Sequence, residues 1–257
     1  MGDTLGALLR QWRHRRSLSQ LELSLRAAVS TRYLSCIETG KATPSRSMVL
    51  HLAERLEVPL RVRNDMLLAA GFAPWFPERE LVAPALDPVR QALDRILAAH
   101  EPFPAMVLDG EWNLINANPA AVWLGSGAAP HLLNPPINLM RLALHPDGLA
   151  PAIANLPELR ARVIANLSRQ AARTANPALT ELHDEIRGYP GGEAETDPGE
   201  SVAVPVRIRV EGHDLAFIST LTTFSHPTDV TVAELAVESY FPADTATAEI
   251  MLARGTS

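Results

Sequence analysis

The feature that most constrains this chain is the stretch from Leu18 to Pro44, which reads LSQLELSLRAAVSTRYLSCIETGKATP. Ser19 and Glu22 have the spacing of a capping box, in which each side chain satisfies a free backbone N–H near the start of a helix. Ser30 is a second N-cap candidate, and Gly40 fits the left-handed residue that ends a helix. The pattern predicts two short helices joined by a tight turn, as in a helix-turn-helix unit.

Apolar residues recur at helical spacing in both predicted helices. Leu21, Leu25 and Ala28 fall on one face of the first, and Leu34 and Ile37 continue the stripe in the second. Apolar stripes of this kind normally face a core. We therefore expect both stripes to pack inward.

The order S-Q-x-x-L, A-x-V-S, L-x-x-I-E-x-G-K and then proline resembles the helix-turn-helix of the Cro/repressor-like (XRE) family of bacterial regulators. The resemblance spans about the first seventy residues and implies that Arg13 pairs with Glu38. Ala28 and Ser17 stand where the family usually has glycine. Because an alanine at positive φ costs about 1 kcal/mol, we expect a slightly strained or reshaped turn.

Charge is distributed unevenly along the 257 residues. Residues 1–70 hold 11 Lys and Arg against 6 Asp and Glu, whereas the remainder holds 12 against 23. A basic segment followed by an acidic one indicates that only the first meets a polyanion, and double-stranded DNA is the expected partner rather than a membrane.

The single cysteine excludes an internal disulfide. With neither a signal peptide nor a membrane-spanning run, the expected location is the cytoplasm.

The predicted fold is multidomain. An all-α helix-turn-helix domain of five helices occupies residues 1–72, and a Pro-rich linker occupies residues 73–86. Trp75 and Phe76, in that linker, are expected to pack onto one of the domains. Residues 87–257 form the second domain.

The second domain combines helices with short strands. Two strands flank an Asp109-Gly110 turn, and the last fifth of the chain alternates in the manner of three more. Helical patterns separate the two groups, and residues 188–200 predict a turn-rich acidic loop. The result is an α+β fold, an antiparallel sheet of about five strands with inserted helices, as in a PAS-like sensor domain.

Three segments of this half resemble the MmyB-like ligand-binding domain that follows this type of helix-turn-helix in many bacterial regulators. The segments are VLDGEWNLINANPAA, NLMRLALHPDGL and LAVESYFPAD. The resemblance implies a small apolar effector, such as a fatty acid, held between sheet and helices. No other cofactor is expected.

DNA reading requires side chains near the N-terminus of a helix in the major groove. Arg32 is the best candidate for a bidentate contact to guanine, with a solvated surface arginine as the alternative. Cys36 is interpreted as a packing residue rather than a redox sensor, because the chain has no second thiol. By motif position the outward-facing residues are Thr31, Arg32, Ser35 and Cys36, and the candidates for phosphate contacts are Gln20, Ser30, Tyr33 and Lys41.

A ligand pocket needs apolar walls and a few convergent polar groups. Arg141 stands out, because a cation in an apolar helix needs a partner: a ligand carboxylate, or an internal acid such as Asp109 or Glu238. His145 is interpreted as a helix-end residue rather than a metal ligand, since no second histidine shares its local spacing, and no metal site is expected. The candidate walls, each of which also fits a filled core, are Trp112, Leu114, Trp123, Leu139, Met140, Phe217 and Leu221, and the candidate anchors are Asn116, Asn138, Arg141 and His145.

The function predicted from these residues is sequence-specific DNA binding by a homodimeric transcription regulator that responds to a small apolar ligand. In the alternative, the PAS-like half only dimerises or docks a partner protein. An enzyme is disfavoured, because the chain has no G-x-S-x-G, no P-loop, no H-E-x-x-H and no G-x-G-x-x-G opening a helix.

Overall fold

The computed structural model describes residues 3–192 and 204–255. The chain forms two compact units. The first contains the chain up to Arg79 together with Ala172–Thr174 and His226–Ala233, and the second contains Glu80–Ala171, Ala175–Ser225 and the chain from Glu234 onward. Residues 193–203, which include most of the predicted acidic loop, lie outside the described part of the chain.

Five helices make up the N-terminal part of the first unit, as predicted. Each of the first four begins at a hydroxyl N-cap, and at Ser19 the capping box with Glu22 is complete. The helices are α1 (Leu5–Arg15), α2 (Gln20–Arg26), α3 (Thr31–Glu38), α4 (Arg46–Arg55) and α5 (Leu60–Ala69).

The turns between these helices use the left-handed conformation. Gly40 ends the α3 region with a φ of 73°, as expected for glycine. Ser17 and Ala28, which replace the glycines of the family pattern, also have positive φ, at 53° and 51°. The expected backbone strain at Ala28 is therefore present.

The orientation of α2 differs from the sequence prediction. Leu21 and Leu25 are 58% and 72% exposed, and Ala28 is exposed as well, whereas Leu23 and Ala27 are buried. Leu21 and Leu25 have the i, i+4 spacing of one helix face, and so do Leu23 and Ala27. Periodicity alone could therefore not show which pair is buried in a helix of only seven residues.

The chain after α5 folds back onto that helix. The Asn64 side chain accepts hydrogen bonds from the backbone N–H groups of Trp75 and Phe76, both at 3.0 Å, and donates to the Phe76 carbonyl at 2.7 Å. The Arg46 guanidinium lies 5.8 Å from the Trp75 ring centroid. The two aromatic residues therefore contact the first unit, although Trp75 remains more than half exposed.

A segment from late in the chain completes the first unit. Val230 N–H donates to the Pro77 carbonyl at 2.8 Å, and Arg79 forms an ion pair with buried Asp229 at 2.8 Å. This segment contains α11 (Val230–Glu234), which the sequence analysis did not predict.

An antiparallel five-stranded sheet forms the centre of the second unit, in the order β2-β1-β5-β4-β3. The helices are inserted between the second and third strands, as predicted. The strands are β1 (Ala105–Leu108), β2 (Leu114–Ala117), β3 (Val206–Val210), β4 (His213–Thr223) and β5 (Ala236–Pro242), and the helices are α6 (Asp87–Ala99), α7 (Pro119–Leu124), α8 (Leu139–Leu144), α9 (Leu156–Thr174), α10 (Pro177–Arg187) and α12 (Thr245–Gly255).

Both faces of the sheet carry apolar side chains, because strand residues alternate between faces. On one face, Val107 and Val237 pack with Leu93 and Leu97 of α6. The other face contributes Met106, Leu108, Ile208, Leu215, Phe217 and Tyr240 to a core with side chains from α7, α8, α9, α10 and α12.

Candidate functional site

The first candidate site is α3, whose inner face is fixed to the rest of the domain. Leu34, Ile37 and Glu38 are buried. At the start of the helix, the hydroxyls of Thr31 and Ser24 lie 2.9 Å apart, which ties α3 to α2. With its inner face held in place, α3 presents the opposite face to solvent.

Most of the predicted DNA-contacting residues lie on or beside this outer face. Arg32 is exposed, which a base-reading arginine requires, and Cys36 is a half-buried free thiol. Ser30 caps the helix by accepting a hydrogen bond from the Tyr33 N–H at 3.1 Å. The exposed predicted residues are Ser30, Arg32 and Lys41, and the half-buried ones are Gln20, Thr31, Tyr33, Ser35 and Cys36.

A buried carboxylate holds α1, α2 and α3 together. The guanidinium of Arg13 contacts both oxygens of Glu38, at 2.7 and 3.0 Å, and the Gln20 amide donates to Oε2 at 2.8 Å. Burial by itself raises the pKa of Glu38, but the hydrogen bonds from Arg13 and Gln20 outweigh it and keep that pKa below its usual value. The predicted Arg13–Glu38 pair is present, and the Gln20 side chain is engaged inside the domain.

Gly6 has a packing role that was not among the predictions. A Cβ atom at this position would lie 2.5 Å from the Glu38 carbonyl oxygen and 2.8 Å from that of Ile37. α1 therefore crosses the end of α3 at a distance that only glycine permits. The signal that could have indicated this contact is an isolated glycine inside a helical pattern.

The second candidate site is the apolar core between the sheet and the helices. Phe217 is fully buried, Leu139 and Met140 of α8 are buried, and Trp112 packs at the edge. The Trp112 Nε1–H donates to the Gln170 side chain of α9 at 2.8 Å. These four predicted wall residues, together with Leu114 and Trp123, belong to one core, whereas the prediction for Leu221 is wrong because its side chain is half exposed.

The predicted polar anchors do not converge. Asn116 is exposed and donates to Asp94 of α6, on the side of the sheet away from this core. Asn138 is buried, but its side chain caps α8 and also donates to the Glu111 carbonyl at 2.9 Å. Asn138 thus has a structural role, and Asn116 lies elsewhere.

The partner of Arg141 is an acid that the sequence analysis did not name. The guanidinium contacts both carboxylate oxygens of Glu185 on α10, at 2.8 to 3.0 Å, rather than Asp109 or Glu238. The hydrogen bond from Arg141 is the main cause that lowers the pKa of Glu185. The Tyr189 hydroxyl also donates to Glu185, and the Tyr189 ring packs edge-on against His145 with a centroid separation of 5.0 Å.

The core contains a buried acid, Glu238, which was predicted only as a candidate partner of Arg141. Glu238 lies on β5 beside the buried Tyr240, and burial raises the pKa of its carboxyl to about 7 against the opposing effect of hydrogen bonds from Tyr240 and Ser219. Among the described residues, its Oε2 atom has no hydrogen-bond partner. Strand alternation places Glu238 on the same face as Tyr240, and this was the available signal.

The second unit also contains a surface cavity of about 350 Å³. None of the eleven predicted wall and anchor residues lines it. Its walls come from the end of α7, the chain after α8 and strand β3, and include Leu124, Pro146, Asp147, Gly148, Ile208 and Glu211.

Comparison with known proteins identifies both parts of the chain. Residues 4–66 match the family model of a helix-turn-helix domain, and residues 89–253 match that of the MmyB-like transcription regulator ligand binding domain. No curated protein matches. No helix in the described part of the chain has the length and apolar character needed to cross a membrane.

Among solved structures, one titled "Structure of an RNA-binding Light-Oxygen-Voltage Receptor" aligns with 95% of this chain at 18% identity and a TM-score of 0.30. The present chain spans 60% of the length of that protein. A TM-score this low assigns neither a fold nor a function.

Proposed function

The chain belongs to the family of MmyB-like transcription regulator ligand binding domains, and on that premise we propose that it is a homodimer whose affinity for a specific operator changes when a small apolar molecule binds. With its N-terminal helix-turn-helix domain, it is a DNA-binding transcription regulator. To this we add, as a proposal, the dimeric state, the specificity for one operator and the class of effector. We propose no catalytic activity.

The presentation of α3 supports specific DNA reading. Its inner face is immobilised by buried Leu34 and Ile37 and by the Glu38 ion pair, whereas Arg32 near its N-terminus is exposed. A rigid helix with a free cation at this end is the geometry that places a bidentate donor against guanine in the major groove. Lys41 and Ser30 are suited to the phosphates on either side.

The packing of α9 supports an apolar effector. This helix has 19 residues, but of its described side chains only Leu167 is buried. Leu159, Val163 and Ile164 pack against the core while remaining partly accessible. Since burial of apolar area contributes about 25 cal/mol per Å², a hydrocarbon chain that covered the accessible parts of these three side chains would be stabilised by that contact.

A second candidate function, dimerisation or protein docking through the sheet, is favoured by β4. β3 pairs only with residues 213–217 of β4, and residues 218–223 pair only with β5 among the described strands. Ile218, Leu221 and Phe241 are exposed in this region. An exposed strand edge with apolar neighbours is a template for adding another strand.

Two measurements on the full-length protein test the proposal. Selection of bound duplexes from a random pool should enrich one palindromic sequence, because a two-fold symmetric dimer reads two half-sites. Native mass spectrometry should show a dimer that carries a stoichiometric apolar molecule. A dimer that stays ligand-free in the presence of lipid extracts would favour the docking function, and failure to enrich any duplex would contradict the DNA-reading part.

A further inference from the structure

Two histidines and an aspartate meet on the surface of the second unit. The Nε2 atom of His131 and the Nδ1 atom of His145 each lie 3.9 Å from Oδ2 of Asp147. The three side chains offer ligand atoms that all lie within 4.8 Å of one another. In residues 3–192 and 204–255, this is the one group of three or more His, Cys, Asp or Glu side chains with such convergence.

The backbone holds the three residues together. His131 lies in a short 3-10 helix, Pro130–Leu133, and the neighbouring Ala129 N–H donates to the Asp147 carbonyl at 2.9 Å. His145 is the C-cap of α8 and is followed by Pro146, which fixes the direction of the chain toward Asp147. Because the scaffold is already ordered, gathering the three ligands costs little conformational entropy.

The donor set selects the class of metal. Two imidazoles and one carboxylate suit zinc and its divalent neighbours, whereas calcium and magnesium prefer oxygen donors alone. Ligand bonds of about 2.0–2.1 Å in a tetrahedral site place ligand atoms about 3.3 Å apart. Each imidazole nitrogen, now 3.9 Å from the Asp147 oxygen, must therefore move closer to it by about 0.6 Å, and the two imidazole nitrogens, which lie within 4.8 Å of each other, must also approach. The His145 Nδ1 atom now accepts a hydrogen bond from the Asp147 N–H at 3.0 Å, and metal binding would replace that single bond.

The surroundings favour exchange with free metal over a permanent structural ion. The side chains of His131 and Asp147 are more than half exposed, so solvent reaches the ligand atoms. Arg141, the cation nearest in sequence to His145, is neutralised by Glu185. Three protein ligands leave a coordination position for water or another molecule, and Asp147 also forms part of the wall of the 350 Å³ cavity.

We propose that His131, His145 and Asp147 form a binding site for a divalent transition-metal ion of the zinc class. The site is separate from the helix-turn-helix and from the apolar core. It gives the second unit a metal-responsive surface in which an ion bridges the chain before α8 to the chain after it. Neither the operator nor an apolar effector is needed for this inference.

Calorimetric titration of the full-length protein with ZnCl₂, and visible absorption spectroscopy with CoCl₂, test the site directly. We expect one ion to bind per chain, with a Co²⁺ spectrum typical of nitrogen and oxygen ligands. His131→Ala and Asp147→Asn should each weaken Zn²⁺ binding at least about tenfold, since each removes one of three ligands. CaCl₂ should give no saturable binding.

The matched control is His183→Ala. His183 and Asp184 form another histidine–aspartate pair, with Nδ1 and Oδ1 3.0 Å apart, but they are outside the three-residue group. This variant should bind Zn²⁺ as the wild type does, and circular dichroism should show that all the variants are folded. Absence of Zn²⁺ binding to the wild type, or equal affinity in the wild type and His131→Ala, would overturn the proposal.

Discussion

Arg13 of α1 and Glu38 of α3 form a buried ion pair in which two guanidinium nitrogens contact the two carboxylate oxygens at 2.7 and 3.0 Å. Arg13 also donates to the Leu18 carbonyl at 2.8 Å, which joins the turn before α2 to the same pair. The orientation of α3 within the domain therefore depends on a contact with α1, which lies outside the helix-turn-helix pair α2–α3.

Removing the carboxylate should destabilise the first unit severely. Glu38→Ala leaves the Arg13 guanidinium buried without its counter-ion, and we expect a loss of about 3–5 kcal/mol in the free energy of unfolding. Urea denaturation followed by circular dichroism and by tryptophan fluorescence, to which Trp12 and Trp75 contribute from the first unit, would measure it. Glu54→Ala, at an exposed position of α4, is the control and should change stability by less than about 0.5 kcal/mol. A loss below about 1 kcal/mol for Glu38→Ala would contradict the expectation.

Replacing Gly6 with alanine should destabilise the domain, although alanine is the better helix former. Alanine gains about 1 kcal/mol of helix propensity, but its Cβ would clash with the carbonyl oxygens of Ile37 and Glu38, which belong to backbone and cannot rotate away. We expect Gly6→Ala to cost about 1–3 kcal/mol net, measured by thermal unfolding. Gly127→Ala is the control, since a Cβ there meets open space. Equal melting temperatures for the two variants would refute the tight crossing.

Arg32→Ala should remove sequence discrimination without affecting folding. The side chain is exposed, so the melting temperature should stay nearly unchanged, while the preference for the selected duplex over random competitor should fall by about 1–3 kcal/mol. Competition binding at fixed salt measures both affinities. Arg55→Ala removes an equal charge from an exposed position of α4 and should retain the preference. Selectivity that survives in Arg32→Ala would exclude this residue as a base reader.

Local signals in the sequence predicted the elements of the fold well. The Ser19 and Ser30 caps, the Asp109-Gly110 turn between two strands and the alternation in the last fifth of the chain each predicted an element that the structure contains. Each of these signals depends on neighbours in the chain, so the sequence contains them directly. The five-residue helix α11 was missed because it is too short for a periodic signal.

Contacts between distant segments could not be predicted in the same way. Arg141 meets Glu185 only after α8 and α10 pack together, and His145 lies beside His131 only after the chain before α8 folds back toward the end of that helix. The rotation of α2 likewise depends on which of two equivalent stripes the rest of the domain covers. The candidate site was therefore predicted as a set of residue types, and its pairings required the tertiary structure.

If the effector is acidic, substitutions of the two members of the Arg141–Glu185 pair should have opposite effects. If the guanidinium anchors a ligand carboxylate, that ligand competes with Glu185. Arg141→Ala should then weaken the effector's influence on DNA binding, and Glu185→Gln should strengthen it by freeing the cation. The pair is about 40% exposed, so neither change should cost more than about 1 kcal/mol of stability. Parallel losses in both variants, or no effect in either, would assign the pair a purely structural role.

Glu238 should make stability depend on pH in a definite direction. Its pKa is about 7 in the folded protein because of burial, against 4.5 as the ordinary value, so the folded state holds a proton that the unfolded state has released between these two values. The stabilisation is fully present below pH 4.5 and is lost as the pH rises through about 7, an effect on the order of 3 kcal/mol. Glu238→Gln cannot titrate and should lack this component, so the difference in unfolding free energy between wild type and variant should change by about three quarters of that amount between pH 5 and pH 8. Urea denaturation at several pH values measures it, and the difference cancels the other titrating groups that both proteins share. A difference that stays constant over this range would mean that the Glu238 carboxyl titrates at its ordinary value and reaches solvent.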